Sequence, residues 1–273
     1  MNNIREQIKD KKRIVVKIGS SSLQHAETGD LDYIRLEKLV RELCDISNQG
    51  KEVVLVTSGA IAAGKQAVHL KTTEGQTQAE SMAIKQACSA IGQARLMMTY
   101  QKLFAEYNQV AAQILMTKNT IVDNLNRYNA HNTFTQLLKM GAIPVVNEND
   151  TVAIDELELE MGENDSLAAV VATIANADLL VIMSDIDGLY DKDPHVHEDA
   201  RLIPEVGKIT DDIRDLAGGA GSALGTGGMA TKIKAVEIAH AADIDVVLMN
   251  GKNPRKLYDL FEDKPVGTIF AKQ

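Results

Sequence analysis

The sequence predicts an α/β protein: a three-layer α/β/α sandwich in which helices cover both faces of a mostly parallel sheet. The first observation behind this prediction is that short apolar segments alternate with longer segments of helical periodicity, which is typical of parallel sheets. The second is the composition, since 273 residues with 45% hydrophobic and 25% charged residues suit a globular chain with a sizeable core.

Six segments are predicted to be strands because each is a short run of apolar, often β-branched residues. In chain order they are Arg13–Ile18, Glu52–Thr57, Val110–Met116, Ala142–Asn147, Leu179–Ser184 and Asp245–Met249. Five further segments place apolar residues three or four positions apart and are predicted to be helices. These are Leu31–Asn48, Gln78–Tyr107, Tyr128–Met140, Ser166–Ala175 and Ala230–Ala241.

The chain is expected to form one domain over residues 1–273, with a soft boundary between two lobes near Met161–Glu163. The sequence contains no internal repeat and no low-complexity tract. The polar segment Thr72–Gln78 is predicted to be a surface connection, and a lid over a site is the alternative.

Composition argues against several classes of function. The net charge of −9 and the lack of a basic patch argue against nucleic-acid binding. The N-terminus is polar, and no apolar run approaches the ~20 residues that span a bilayer, so neither a signal peptide nor a membrane segment is expected. Cys44 and Cys88 lie in helical patterns, and neither they nor the pair His195 and His197 predict a metal site. Together these features predict a cytoplasmic protein.

Small, polar or acidic residues follow four of the predicted strands. The four segments are Lys17–Ser22, Thr57–Ala60, Asn147–Thr151 and Ser184–Tyr190. One such junction would be ordinary turn chemistry. Because ligands of parallel sheets bind at the carboxyl ends of strands, four of them favour one shared site at that edge.

The segment Gly225–Lys232 predicts an anion-binding loop. Its sequence, Gly-Thr-Gly-Gly-Met-Ala-Thr-Lys, places flexible glycines before a helix whose N-terminus offers N–H donors and a partial positive charge. Two common nucleotide-binding templates fit poorly. The P-loop-like segment Gly59–Gln66 lacks the final hydroxyl, and no strand is plausible before Gly225, where a dinucleotide fingerprint requires one.

Two lysines and three aspartates at element ends are candidates for phosphoryl-transfer chemistry. Lys17 interrupts an apolar strand at its outlet, and with Lys232 it could clamp a transferring phosphoryl group. Asp150, Asp165 and Asp185 could hold the lysines or coordinate Mg²⁺. Solvated surface lysines and a helix N-cap at Asp165 are the alternatives. The sequence shows no defensible catalytic base, which favours a carboxylate acceptor because a carboxylate is already ionised at neutral pH.

The ordered set of these motifs resembles the amino acid kinase superfamily and, within it, the family of glutamate 5-kinases. The matching segments, specific as a set, are Val15–Ser20, Val56–Gly64, Val146–Asp150, Asn164-Asp165, Ser184–Tyr190 and Gly225–Lys232. The resemblance implies the amino acid kinase fold with ATP and Mg²⁺ as cofactors. It also implies phosphorylation of the γ-carboxylate of L-glutamate to L-glutamyl 5-phosphate, the first step of proline biosynthesis.

The resemblance also implies a role for each matched position. Lys17 and Lys232 would stabilise the γ-phosphoryl group in transfer, and Asp165 would organise the two lysines. Residues 1–162 would form the amino-acid lobe, and glutamate would be held by Ser58, Gly59, Asn149, Asp150 and Asn164, with Asp150 at the α-ammonium group. Residues 163–273 would form the nucleotide lobe, and ATP would be held by Lys17, Gly19, Ser184, Asp185, Thr226, Gly227, Gly228, Met229, Ala230, Thr231 and Lys232.

The resemblance further implies a homo-oligomer, either a dimer or a tetramer, with proline as a feedback inhibitor and a glutamyl phosphate reductase to receive the product. The sequence departs from the family pattern in that no C-terminal PUA domain is expected, Ser184 replaces a common Thr, and Thr72–Gln78 lacks a proline-containing pattern. Two alternatives stay open. One is another member of the superfamily, an acetylglutamate or uridylate kinase, and the other is a non-catalytic amino-acid-binding regulator on the same fold.

Overall fold

The computed structural model describes residues 4–70, 78–117, 120, 122–152, 164–218 and 228–272. Its strands are β1 Arg13–Ile18, β2 Glu52–Val56, β3 Val110–Met116, β4 Ala142–Glu148, β5 Leu179–Ser184, β6 Glu205–Val206, β7 Asp245–Asn250 and β8 Thr268–Phe270. They form an eight-stranded sheet in the order β3-β4-β2-β1-β5-β7-β8-β6. Neighbours from β3 to β7 are parallel, whereas β8 is antiparallel to β7 and parallel to β6. The mostly parallel sheet is therefore confirmed, and each of the six predicted strands is present within one residue at either end.

The helices of the described chain include all five that the sequence predicts. They are α1 Ile4–Ile8, α2 Tyr33–Asn48, α3 Ala60–Ala67, α4 Gln78–Ala105, α5 Asn124–Lys139, α6 Asn164–Ile174, α7 Asp211–Gly218, α8 Met229–Ala241 and α9 Lys256–Phe261. The largest shift is in α5, which begins four residues before the predicted start because the Asp123 carboxylate caps it by accepting from the Asn126 N–H. Within the described ranges, no helix is both long and apolar enough to cross a membrane.

The sheet separates two hydrophobic cores, as a three-layer sandwich requires. In β1, the side chains of Ile14 and Val16 belong to one core, beneath α2 and α4, while Val15 belongs to the other, beneath α6 and α8. Because side chains alternate along a strand, Lys17 lies on the same face as Val15. The strand alternation thus directs Lys17 toward α6 and α8.

The pairing of β1 on both sides fixes its register. Lys17 is opposite Val56 of β2 and opposite Ile182 of β5 in the two parallel ladders. The carboxyl ends of these three central strands, together with that of β4, therefore lie at the same edge of the sheet.

Two glycines allow α3 and α4 to pack with their backbones in contact. A Cβ atom on Gly92 would lie 1.8 Å from the Ala60 carbonyl oxygen, and one on Gly64 would lie 1.8 Å from the Cys88 carbonyl oxygen. Any larger residue would force the two helices apart. Since Gly59 caps the start of α3, this contact ties the first turn of α3 to the long helix α4.

Candidate active site

A cavity of about 440 Å³ lies at the carboxyl ends of β1, β2, β4 and β5. Its lining consists of Lys17, Gly19, Ser20, Ser21, Ser58, Gly59, Ala60, Ile61, Ala62, Lys65, Asn147, Asp150, Asn164, Ser184, Asp185 and Lys232. Residues from all four polar strand ends that the sequence singles out contribute to it. The expected common site at this edge of the sheet is therefore a single cavity.

A buried lysine–aspartate–lysine cluster forms one wall of the cavity. The Nζ atom of Lys17 is 2.6 Å from Oδ1 of Asp165, and Nζ of Lys232 is 3.1 Å from Oδ2 of the same carboxylate. The three residues are 3%, 0% and 5% exposed in the order Lys17, Asp165, Lys232. One strand and the first turns of α6 and α8 each contribute one of these side chains, so the cluster joins three elements.

The charges of this cluster suit an anionic ligand. Burial alone would raise the pKa of Asp165, but the charges and hydrogen bonds of Lys17 and Lys232 outweigh burial and hold that pKa below its usual value. The carboxylate is therefore ionised at neutral pH. Lys17 and Lys232 both line the cavity, so their ammonium groups can bind an anion such as a phosphate group there with little screening by solvent.

Amide and carboxylate side chains line the opposite part of the cavity, at the ends of β2 and β4. The amide nitrogen of Asn164 donates to the Thr57 carbonyl oxygen at 2.7 Å and to Oδ1 of Asn147 at 3.2 Å. Oδ2 of Asp150 accepts a hydrogen bond from the Ser89 hydroxyl at 3.0 Å. The Ser58 hydroxyl donates to the Ile18 carbonyl at 3.4 Å. This end of the cavity therefore offers polar groups for a small polar substrate.

Two glycines shape the space between these walls. Gly59 has φ of +98°, a left-handed conformation that favours glycine, and it starts α3 at the cavity. Gly19 lies beside the Lys17 ammonium group, since a Cβ atom there would be 3.5 Å from Nζ. Gly19 thus brings backbone close to the charged cluster, and Gly59 allows α3 to start at the cavity.

The predicted nucleotide residues fall into three groups. Ser184 and Asp185 line the cavity, and the Ser184 hydroxyl donates to Oδ1 of Asp185 at 3.0 Å. Gly228 caps α8 and Met229, Ala230 and Thr231 form its first turn just before Lys232, but these four are not in the cavity lining. Thr226 and Gly227 lie outside the described residues, as do most of the predicted Thr72–Gln78 connection and the predicted lobe boundary.

Asn149 is the predicted substrate residue that the structure places differently. It is not among the residues lining the cavity, and its backbone N–H donates to the Met116 carbonyl oxygen at 2.8 Å. Asn147, two residues earlier and on the same strand end, lines the cavity instead.

The structure adds site residues that the sequence analysis does not assign. Lys65 lines the cavity, and the P-loop-like segment Gly59–Gln66, which contains this lysine, is the signal in the sequence that could identify it. Ser89 and Gln93 contact cavity residues from α4, but they lie in an ordinary helical pattern that gives no signal of this role. Within the described part of the chain, no group of three or more His, Cys, Asp or Glu side chains is arranged to hold a metal ion.

A mostly parallel α/β sheet whose strand ends surround two buried lysines defines a class of protein built to bind a phosphorylated ligand. The particular family follows from comparison with known sequences. The model of the amino acid kinase family matches residues 12–250, and the chain belongs to that family.

Individual curated proteins within this family are similar to nearly the whole chain. A glutamate 5-kinase from Clostridium perfringens is 47% identical over 270 residues, which cover 98% of this chain and 98% of that protein. A glutamate 5-kinase from Clostridium tetani is 49% identical, with 98% and 97% covered. A glutamate 5-kinase from Carboxydothermus hydrogenoformans is 47% identical, and the match covers 98% of this chain but 70% of that protein.

Solved structures of more distant proteins share the fold. An isopentenyl phosphate kinase from T. acidophilum, solved as a product complex, superposes with a TM-score of 0.64 at 17% identity, covering 95% of this chain and all of that one. A UMP kinase from Ureaplasma parvum gives a TM-score of 0.63 at 15% identity, covering 96% and 99%. At such identities the likeness shows the fold alone.

Proposed function

We propose that this protein is a glutamate 5-kinase, which transfers the γ-phosphoryl group of ATP to the γ-carboxylate of L-glutamate. The observation that carries the proposal is the buried Lys17–Asp165–Lys232 cluster, which shares one cavity with Asp150 and Asn164. Identities of 47–49% to glutamate 5-kinases over nearly the full chain support this substrate. The intact cluster also favours an enzyme over a regulator that only binds amino acids.

The chemistry requires charge stabilisation more than proton transfer. An oxygen of the glutamate γ-carboxylate forms a bond to the γ-phosphorus while the bond to the leaving oxygen of ADP breaks, and no proton moves because the acceptor is already ionised. Lys17 and Lys232 stabilise the negative charge on the phosphoryl oxygens, and Asp165 keeps the two ammonium groups in place. Asp150 pairs with the α-ammonium group of glutamate.

The nucleotide enters from the side of β5 and α8. Ser184 and Asp185 line that part of the cavity. A phosphate site at Gly228–Thr231 is supported by the start of α8, whose cap residue Gly228 has no side chain to occupy the first N–H groups of the helix. Asp185, which lines the cavity, would hold the Mg²⁺ that accompanies ATP, either directly or through water. Bound with ATP, Mg²⁺ neutralises phosphate charge.

The proposal also assigns each of the two ligands to a different lobe. The half of the sheet from β3 to β2, within residues 1–162, holds glutamate together with Asn164 of α6. The half from β5 to β7, within residues 163–273, holds ATP together with Lys17 and Gly19. The proposal also includes four further properties: a homo-oligomeric state, feedback inhibition by proline, transfer of the product to a reductase, and a cytoplasmic location. Cys44 and Cys88, both buried as free thiols, agree with a reducing compartment.

A substrate panel tests the function directly. The purified protein with ATP and Mg²⁺ should release ADP when L-glutamate is added, and hydroxylamine should trap the acyl phosphate as a hydroxamate. N-acetyl-L-glutamate should react poorly because it has no α-ammonium group to pair with Asp150. Turnover with N-acetylglutamate or UMP but not with glutamate would overturn the substrate and keep the family.

A further inference from the structure

The face of α4 that packs beneath the cavity carries two buried polar side chains, Ser89 and Gln93. They lie one helical turn apart and are 2% and 7% exposed. Ser89 donates to the Asp150 carboxylate, and Oε1 of Gln93 accepts from the amide nitrogen of Asn147 at 2.9 Å. Polar groups on a buried helix face are costly unless paired, and both are paired with residues that line the cavity.

A directed chain of amide hydrogen bonds passes through Gln93. Its fixed end is the Thr57 carbonyl oxygen, which can only accept, so Asn164 must present its NH₂ group there. The same NH₂ group donates to Oδ1 of Asn147, whose own NH₂ group donates to Gln93. Gln93 in turn donates to Oε1 of Gln113 at 3.2 Å. Turning any one amide around would place two donors or two acceptors against each other.

The direction of this chain decides what Asn164 offers to a ligand. Its NH₂ group is used twice within the protein, so its remaining polar atom is Oδ1, which only accepts hydrogen bonds. Asp150, held by Ser89, likewise offers carboxylate oxygens to the cavity. Acceptor atoms at both residues suit an N–H donor, such as the α-ammonium group of an amino acid.

We propose that Gln93 is a positioning residue for the amino acid substrate. It holds the amide of Asn147, and through it that of Asn164, in the orientation that presents Oδ1 to the α-ammonium group. The identity of the ligand rests on the proposed function, whereas the hydrogen-bond chain belongs to the protein alone. The two can therefore be tested separately.

Steady-state kinetics of Gln93→Met test the effect on substrate. Met keeps the length of the side chain and removes its polar atoms, so the KM for glutamate should rise about tenfold or more, while kcat and the KM for ATP change less than about threefold. The matched control is Gln101→Met, which makes the same change on the exposed side of α4. It should have the kcat and KM values of the wild type. Gln93→Glu keeps an acceptor for Asn147 and should have a lower KM for glutamate than Gln93→Met. The proposal is overturned if the KM of Gln93→Glu for glutamate equals or exceeds that of Gln93→Met. It is also overturned if Gln93→Met has the same KM for glutamate as the wild type.

Side-chain amide NMR separates this proposal from the proposed function. With ¹⁵N-labelled asparagine, the NH₂ signals of Asn147 and Asn164, assigned with Asn147→Asp and Asn164→Asp, should exchange slowly in the wild type and in Gln101→Met. They should exchange faster in Gln93→Met. The thermal unfolding midpoint of this variant, measured separately, should confirm that it is folded. Unchanged exchange overturns the positioning role even where glutamate turnover is normal. If the wild type does not turn over glutamate, the proposed function is wrong. The exchange rates would still show whether Gln93 orients the amides of Asn147 and Asn164.

Discussion

Asp165 contacts two lysines from different elements, Lys17 of β1 and Lys232 of α8, and none of the three side chains is more than 6% exposed. In this setting the carboxylate has two tasks. It offsets the charge of two buried ammonium groups, and it fixes their positions relative to the cavity. Under the proposed function, a residue that does both is expected to contribute to stability and to activity, and the two contributions can be measured apart.

Asp165→Asn should destabilise the protein at neutral pH by about 3–5 kcal/mol, because it removes the charge that balances two buried lysines. The folded-state pKa of Asp165 lies below its usual value of 3.8. Its contribution is therefore complete above the unfolded-state pKa and is lost as the pH falls through the lower folded-state pKa. Urea denaturation of both proteins from neutral pH down to about pH 3 should show the difference in unfolding free energy shrinking only at the acidic end. A difference that does not vary with pH would contradict the assigned charge state.

Lys17→Met tests the role of the first lysine in transfer. If its ammonium group acts mainly on the transition state, kcat should fall by at least about a hundredfold while the KM for glutamate changes little. Lys12→Met, the same change on an exposed side chain of the same chain segment, should have wild-type kcat. Near-normal turnover of Lys17→Met would exclude Lys17 from the chemistry.

At the scale of elements, α4 supports the part of the cavity at the ends of β2 and β4 in two ways. Gly92 lets its backbone touch α3, whose first turn lines the cavity, while Gln93 and Ser89 hold Asn147 and Asp150. A change in the distance between α3 and α4 is therefore expected to move both the first turn of α3 and the side chains of Asn147 and Asp150.

Gly92→Ala should separate the two helices, because the added Cβ atom would lie 1.8 Å from the Ala60 carbonyl oxygen and 2.4 Å from the Gly64 nitrogen. We expect a loss of about 1–3 kcal/mol or more in urea denaturation and a raised KM for glutamate. Gly207→Ala is the control, since a Cβ atom there meets nothing within 4 Å. Equal stability of the two variants would refute the close contact.

The sequence predicts the long elements well and the short ones poorly. Six strands and five helices are confirmed because their apolar runs or helical periods are long enough to be seen. The sequence does not predict the helix at Ala60–Ala67, since its small residues and Gly64 give no apolar stripe. This helix is stabilised by packing on α4. The strand at Thr268–Phe270 has three residues, too few for a visible pattern, and its pairing with β7 on one side and β6 on the other makes it a strand.

The same limit applies to the site. Lys17, Asp165 and Lys232 could be proposed because charged residues at the ends of apolar elements stand out in a sequence. Gln93 could not, since its role depends on the direction of hydrogen bonds among side chains from α4, β4 and α6. That direction is set by the backbone carbonyl of Thr57, which is far from Gln93 and Asn164 in sequence, so no local sequence pattern encodes it.

At the scale of the whole molecule, the cavity lies across the middle of the sheet, with β1 between the two proposed ligand halves. Each ligand should therefore stabilise the folded protein by mass action, independently of turnover. Asp150 belongs to the glutamate half and Ser184 to the nucleotide half, which allows the two effects to be separated by mutation.

Glutamate at about a hundred times its Kd should add about 2.7 kcal/mol to the unfolding free energy of the wild type. Asp150→Ala should lose most of this gain at the same glutamate concentration and keep the gain from ADP with Mg²⁺, as followed by thermal denaturation. Retention of the full glutamate gain in Asp150→Ala would show that Asp150 does not bind the amino acid, and loss of both gains would mean that the variant perturbs the whole cavity.

The double-sided pairing of β1 also limits how the gene can vary in length. Lys17 reaches α6 and α8 only because it follows Val15 by two positions in a strand held in register against β2 and β5. Inserting or deleting a single residue within Arg13–Ile18 would turn the lysine toward the opposite core, beneath α2 and α4, and place an apolar side chain in the cavity. A codon gained or lost here should therefore abolish activity more completely than most substitutions, whereas the exposed bend at Gly207 and Lys208 should tolerate the same change.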